Sequence, residues 1–167
     1  MEISPTEPDW SREKKDILMW QPSRALLSSI RQYQRCARSK NIVIRAARIW
    51  AVLRHRFWSV LTGADIPLNS NIGGGMLLPH PNGVVIHPGA VIGPNCLIFQ
   101  QVTIGCRKGE TPPIIGGHVD IGAGAKVLGA IRIGNNVEIG ANAVVLVDVP
   151  DGCIAVGVPA VVRHRRD

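Results

Sequence analysis

Between Ile66 and Val145 the aliphatic positions fall on a six-residue ladder. Ile66, Ile72 and Leu78 form one series, and Ile86, Ile92, Ile98 and Ile104 a second. Ile115, Ile121, Val127, Ile133, Ile139 and Val145 form the third. Ten of the twelve intervals are six residues; Leu78 to Ile86 is eight and Ile104 to Ile115 is eleven. Neither the helical period of roughly 3.6 nor the strand period of roughly 2 accounts for this spacing. A hexapeptide repeat predicts a parallel β-helix, in which each repeat is one flat wall of a prism. A sandwich of regularly spaced strands would not hold a register of six for so long.

The repeat has an inner pattern. Four residues after the aliphatic position comes a second small or apolar residue: Ala90, Cys96, Val102, Val119, Ala125, Ile131, Val137 and Ala143. Residues an even number apart share one face of an extended wall, so both are expected to point inward. Gly follows the aliphatic residue directly in seven repeats: Gly73, Gly93, Gly105, Gly116, Gly122, Gly134 and Gly140. Corners between walls need unusual φ/ψ, and these glycines are expected to supply it. Three walls make a coil of about eighteen residues, and roughly four to five coils stack, each burying its core against the next.

Ahead of the ladder the period becomes helical. Residues 1–10 are Pro-rich and read as irregular. Pro22 and Ser23 predict the start of a helix running through Arg38, with Leu26, Leu27, Ile30 and Tyr33 on one side. Asn41 suits the N-cap of a second helix, residues 42–61. Its apolar stripe is Ile42, Ala46, Ile49, Trp50, Leu53, Phe57 and Leu61, at three- and four-residue steps. Arg45, Arg48, Arg54 and Arg56 interrupt it too often for a membrane span. Two placements fit. The stripe packs on the first coil or a neighbouring subunit with the Arg in solvent, or the helix makes peripheral contact with an anionic membrane. Nucleic acid is not an expected partner, since no recognition motif accompanies the charge.

The net charge of +7 is unevenly spread. Residues 1–62 hold twelve Lys/Arg against five Asp/Glu, while residues 63–167 hold seven of each. Six of the seven Phe, Trp and Tyr residues lie in the first part, leaving Phe99 in the repeats. This shift near Thr62–Gly63 divides the chain into a helical N-terminal region (1–62), a β-helix domain (63–150) and a C-terminal segment (151–167) with the basic tail Arg163-His164-Arg165-Arg166. The four cysteines show no CxxC and no paired spacing, and the acidic start MEISPTEPDW is unlike a secretory signal. A cytoplasmic, reducing setting is expected, with Cys96 a small core residue.

A solenoid commonly breaks register at a binding loop. The first break, Pro79-His80-Pro81-Asn82-Gly83, adds two residues; the second, Arg107 to Pro113, adds five. Of the five histidines, His55 and His164 read as solvated, and His87 and His118 have no obvious partner. His80 lies in the first break. Asp65 precedes it by fifteen residues, a little under one coil, and is expected to stand nearly beneath it. A carboxylate that holds an imidazole in one tautomer prepares a general base. The competing reading is a turn histidine with no role. The sequence has no metal-ligand cluster, phosphate-binding glycine loop or GxSxG, so no metal is expected.

Several stretches together resemble the hexapeptide-repeat acyltransferases, and among them the serine acetyltransferases. They are Asp65-Ile66, Leu78 to Ile86, Gln100 to Gly105, Ile121 to Lys126 and Gly157 to Ala160, within roughly residues 63–162. The resemblance implies a mainly β fold: a left-handed parallel β-helix of hexapeptide repeats with a short α-helical N-terminal region. It implies a homotrimer with acetyl-CoA in the groove between adjacent prisms. His80 would be the general base for the acceptor hydroxyl, Asp65 its orienting partner, and the oxygen would attack the thioester directly. Gly105, Ala123 and Ala141 fall where the family's small residues line the pantetheine arm. The family's Arg after Gly-Val-Pro-Ala is here Val161, so Arg163, with Arg165 or Arg166 as alternatives, is the candidate for the CoA phosphates.

Two acceptors stay open. The family has an Asp before the catalytic His, reading the serine amino group, where this chain has Pro79. Aligned through Pro113, Thr111 and Pro112 replace an Arg-His pair whose Arg binds the serine carboxylate. A zwitterion needs paired charges in a desolvated pocket. The acceptor is therefore L-serine or a saccharide hydroxyl of a surface polysaccharide or its lipid-linked precursor. A non-enzymatic β-helix scaffold is the third reading, against which the Asp65–His80 pair argues.

Overall fold

The computed structural model describes residues 3–16, 19–37 and 41–165. Two helices come first, α1 (Pro22–Cys36) and α2 (Ile42–Thr62). Pro22 occupies the first turn of α1, where its missing N–H is not needed. Arg38, to which the pattern extended this helix, lies outside the described residues. Asn41 caps α2 as expected, its Oδ1 accepting the Val43 N–H at 2.9 Å. Gly63, at φ 65°, ends α2 in the left-handed region and turns the chain into the first rung.

The prism follows. Strands β1 (Asn71–Ile72) and β2 (Val85–Ile86) flank the first break, and β3 (Val91–Ile92), β4 (Leu97–Ile98) and β5 (Thr103–Gly105) complete the next turn. After the second break come β6 (Ile114–Ile115), β7 (Asp120–Ile121), β8 (Lys126–Leu128), β9 (Arg132–Ile133), β10 (Glu138–Ile139) and β11 (Val144–Val145). The hairpin β12 (Cys153–Val156) and β13 (Val161–His164) closes the chain. The first wall is β1-β3-β6-β9, the second β4-β7-β10-β12 with β13 added antiparallel, and the third β2-β5-β8-β11.

Both breaks are absorbed at corners. Ile72 pairs with Ile92 and Ile92 with Ile115, steps of twenty and twenty-three residues. Ile86–Ile104, Ile121–Ile139 and Val127–Val145 keep the step of eighteen. The same inward face is therefore presented throughout. Every ladder residue from Ile66 to Val145 is buried, and so are the second-position residues from Ala90 to Ala143.

The glycines of the ladder differ from expectation. None of the seven has positive φ. A Cβ on Gly93 would lie 2.5 Å from the backbone of Gly116, and one on Gly122 2.6 Å from Ala141 N. Five of the seven are held to glycine by such contacts, and a Cβ on Gly140 would meet the Val156 side chain at 2.8 Å, so that successive coils touch at the corner. The left-handed conformation falls two residues later, in the columns Gly75–Asn95–His118–Asn136–Gly152 and Gly83–Gln101–Gly124–Asn142. Asn tolerates this region better than other residues with a Cβ, and Gly takes it freely.

The first coil has no coil beneath it, and α1 covers it. Leu26, Leu27 and Ile30 join the prism core. Buried Arg31 donates to the carbonyls of Ile72 and Gly73, both at 2.6 Å, and pairs with Glu13 at 2.8 Å. Glu13 also accepts the Met76 N–H at 3.1 Å, and Gln34 donates to Ser70 O at 2.9 Å. Backbone groups that a lower coil would have satisfied thus find side-chain partners.

Within the chain α2 does not lie on the first coil with its apolar stripe. It packs on α1 through the side that carries Ala51, which is fully buried. The stripe faces away, with Ile42, Ile49, Trp50, Leu53, Phe57 and Leu61 each 49–73% exposed. No helix among the described residues is long and apolar enough to cross a membrane.

Candidate active site

The first break leaves the prism at the corner between the second and third walls. Gly83 restores register by donating to Gly63 O at 2.9 Å, and the Gln101 N–H donates to Asn82 O at 2.9 Å. His80 sits exposed in the bulge before them. Asp65 is exposed on the third wall, where its rung partner is Val85. The aspartate is fastened through its backbone: its N–H donates to Val84 O and its carbonyl accepts from Ile86 N–H. His80 leads into the rung paired with Asp65, five residues ahead of Val85. Among the described residues neither side chain has a hydrogen bond or ion pair, so both are open to a ligand.

Above the bulge the same corner is built by Gln100–Gln101, Ala123–Gly124 and Ala141–Asn142. Gly124 N–H donates to Gln100 O at 2.9 Å and Asn142 N–H to Ala123 O at 2.8 Å. Ala123 and Ala141 thus share the His80 edge on successive coils, and neither is buried. Gln100 Oε1, on this edge, is buried and has no hydrogen-bond partner among the described residues.

Gly105 lies elsewhere. Its register partner is Leu128, at the far end of the third wall where the second break begins. The eighteen-residue spacing from Gly105 to Ala123 is misleading, because the five extra residues fall within the coil that joins Gly105 to its partner. A Cβ on Gly105 would meet nothing nearer than Leu128 Cδ2 at 3.8 Å, so the fold does not demand glycine there. The loop from Arg107 to Pro113 projects from this second corner, with Arg107 and Glu110 paired at 2.9 Å. Arg163 is on β13, opposite Ile154 on the second wall, beside a cavity of about 810 Å³ lined also by Val156 and His164. Arg165 is engaged with Glu138 at 2.7 Å, and Arg166 lies outside the described residues. Arg163 is exposed and has no ion-pair partner among the described residues.

Three histidines depart from expectation, among them His87, whose Nδ1 accepts the Gly89 N–H at 3.1 Å. His55 is half-buried, its Nε2 2.8 Å from Ile66 O, which ties α2 to the rung that carries Asp65. His118 does have a partner: its Nδ1 is 2.8 Å from Asn136 Oδ1, one coil up the same left-handed column. The eighteen-residue spacing was the available signal for that pair. Arg31 had none, because Glu13 and the rung carbonyls meet it only once α1 has docked. Cys96 is fully buried, and burial pushes its thiol up to about 11, consistent with an inert core residue. Partial burial likewise raises Asp120, which faces Glu138 on the second wall.

A three-walled parallel β-helix of hexapeptide repeats, with a histidine exposed where one corner bulges, defines the class: a hexapeptide-repeat acyltransferase of left-handed β-helix fold with an N-terminal helical region. No family model matches the chain. It is 47% identical to the serine acetyltransferase of Synechococcus elongatus over 109 residues, 64% of this chain and 45% of that protein. It is 44% identical to the serine acetyltransferase of Mycobacterium tuberculosis over 118 residues, 69% of this chain and 52% of that protein. Soybean serine acetyltransferase complexed with serine superposes with a TM-score of 0.64 at 32% identity, over 83% of this chain and 70% of that one. The chain belongs to the serine acetyltransferase family. It spans about half the length of the two bacterial relatives.

Proposed function

We propose that this protein transfers an acetyl group from acetyl-CoA to the hydroxyl of L-serine, with His80 as general base. The observation that carries this reading is the register break itself: it sets an exposed histidine at the head of the rung whose partner is Asp65, in a chain of this family. His80 takes the hydroxyl proton as the serine oxygen bonds to the thioester carbonyl carbon. The C–S bond then breaks and the proton passes to the departing CoA thiolate. Asp65 orients the imidazole as the substrates draw the site together. Ala123 and Ala141 beside His80, together with Gly105, line the pantetheine arm, and Arg163 meets the CoA phosphates.

His80 and Gly105 lie at opposite ends of the third wall, so one prism cannot bring them into one groove. An edge of one prism against the other edge of its neighbour does so, and three such contacts close a ring. We take the assembly to be a homotrimer with acetyl-CoA between adjacent prisms, in the cytoplasm where acetyl-CoA is available. Pro79, Thr111 and Pro112, standing where the family reads serine, favour a second acceptor, a saccharide hydroxyl.

The test follows CoA thiol release with acetyl-CoA and either free serine or nucleotide- and lipid-linked sugars. His80→Ala is expected to lower kcat by about 10²–10⁴-fold, the usual loss for a general base. Unchanged turnover in that variant removes His80 from the mechanism. Thiol release with sugars but not serine transfers the reading to the saccharide acceptor.

A further inference from the structure

We propose that α2 seats the protein on an anionic membrane surface, lying in the plane of the interface with its apolar stripe in the lipid. This goes beyond acetyl transfer and does not depend on it. Ile42, Ile49, Trp50, Leu53, Phe57 and Val60 project on the side of the helix opposite Ala51, and all six are 52–86% exposed. Exposed Arg45 and Arg56 border one edge of the stripe, and Arg54, held by Gln32 Oε1 at 2.9 Å, borders the other. The patch continues around the flank: Phe57 meets Trp58 at 5.1 Å, and Trp58 meets Trp20, which is 73% exposed, at 5.6 Å. Lys15 lies over Trp58 at 5.7 Å.

Charge identifies the occupant. From Ile17 to Ala64 the sequence holds nine Lys/Arg and no Asp or Glu. A second copy of this face would set cation against cation. An anionic bilayer neutralises the basic rim and accepts the aliphatic and aromatic stripe at the same time, with Arg reaching to the headgroups and Trp at the interface. The helix is held for this by its other side, through Ala51 and the His55–Ile66 hydrogen bond.

The test mixes the full-length protein with vesicles of phosphatidylcholine alone or with about 30% phosphatidylglycerol, and sediments them. Binding is expected to the anionic vesicles at about 50 mM NaCl, falling about tenfold at about 500 mM and on neutral vesicles. Leu53→Glu/Phe57→Glu should lose binding by about tenfold or more, with the circular dichroism spectrum unchanged because both side chains are exposed. A readout independent of any variant is quenching of wild-type tryptophan emission by lipids brominated in the acyl chain. Failure of the wild type to sediment, absence of quenching, or equal binding by the double variant overturns the proposal. A wild type that ignores vesicles and has a larger mass by light scattering than the double variant assigns the stripe to contact between copies, and overturns it too.

Discussion

The prism and α2 both carry a regular apolar face, and the two faces meet opposite fates. In the prism a face is covered by the next coil, a near-copy of itself eighteen to twenty-three residues on. A repeat brings its own partner, so regularity and burial arrive together. A single amphipathic helix has no such copy. α1 takes the narrow side of α2 around Ala51, where small residues permit close approach, and the broad stripe stays outside. Periodicity thus marks which side of an element is apolar, while burial depends on whether the chain supplies a second surface.

Substitution of matched residues tests that contrast most strongly. Ile121→Ala, in the sealed core, is expected to cost about 2–5 kcal/mol in denaturant unfolding. Leu53→Ala, on the open stripe, should stay within about 0.5 kcal/mol when measured without lipid. A Leu53→Ala cost near that of Ile121→Ala would show that the stripe is covered in solution after all. The glycines sharpen the comparison within the prism. Gly93→Ala pushes a Cβ into the neighbouring backbone and should cost about 1–3 kcal/mol. Gly105→Ala has room, so its melting temperature should hold while bulkier Gly105→Val raises KM for acetyl-CoA. An unchanged KM would dismiss Gly105 from the groove.

The smallest effect concerns the thiols. Exposed Cys106 should react with a disulfide reagent in the native protein, whereas buried Cys96 and Cys153 should react only after unfolding. Cys96 keeps its proton to about 11 when folded, against 9.0 for an unperturbed thiol. Between those values the unfolded chain binds fewer protons, so stability falls as pH rises through that window. Cys96→Ala should flatten the slope there.

The walls, their inward residues and the N-cap of α2 were legible because each depends on neighbours at fixed spacing. Three features were not. The role of the ladder glycines depends on how closely coils approach, which periodicity does not report. The position of Gly105 depends on where the extra residues are looped out, so its eighteen-residue spacing from Ala123 did not mean equal place. Arg31 depends on the docking of α1 over an unfinished rung. Each is a tertiary fact about a residue whose local context is unremarked.

The corner loops have a consequence for how such a chain can change. Excesses of two and five residues leave the rungs on either side in the same pairing and facing the same way. Length at a corner is thus decoupled from the walls, much as a drawer can be exchanged without rebuilding the cabinet. Grafting a longer segment between Cys106 and Ile114 should alter which molecules are admitted beside Gly105 while the prism folds as before. Insertions and deletions at two addresses then change the loops with no renegotiation of the core.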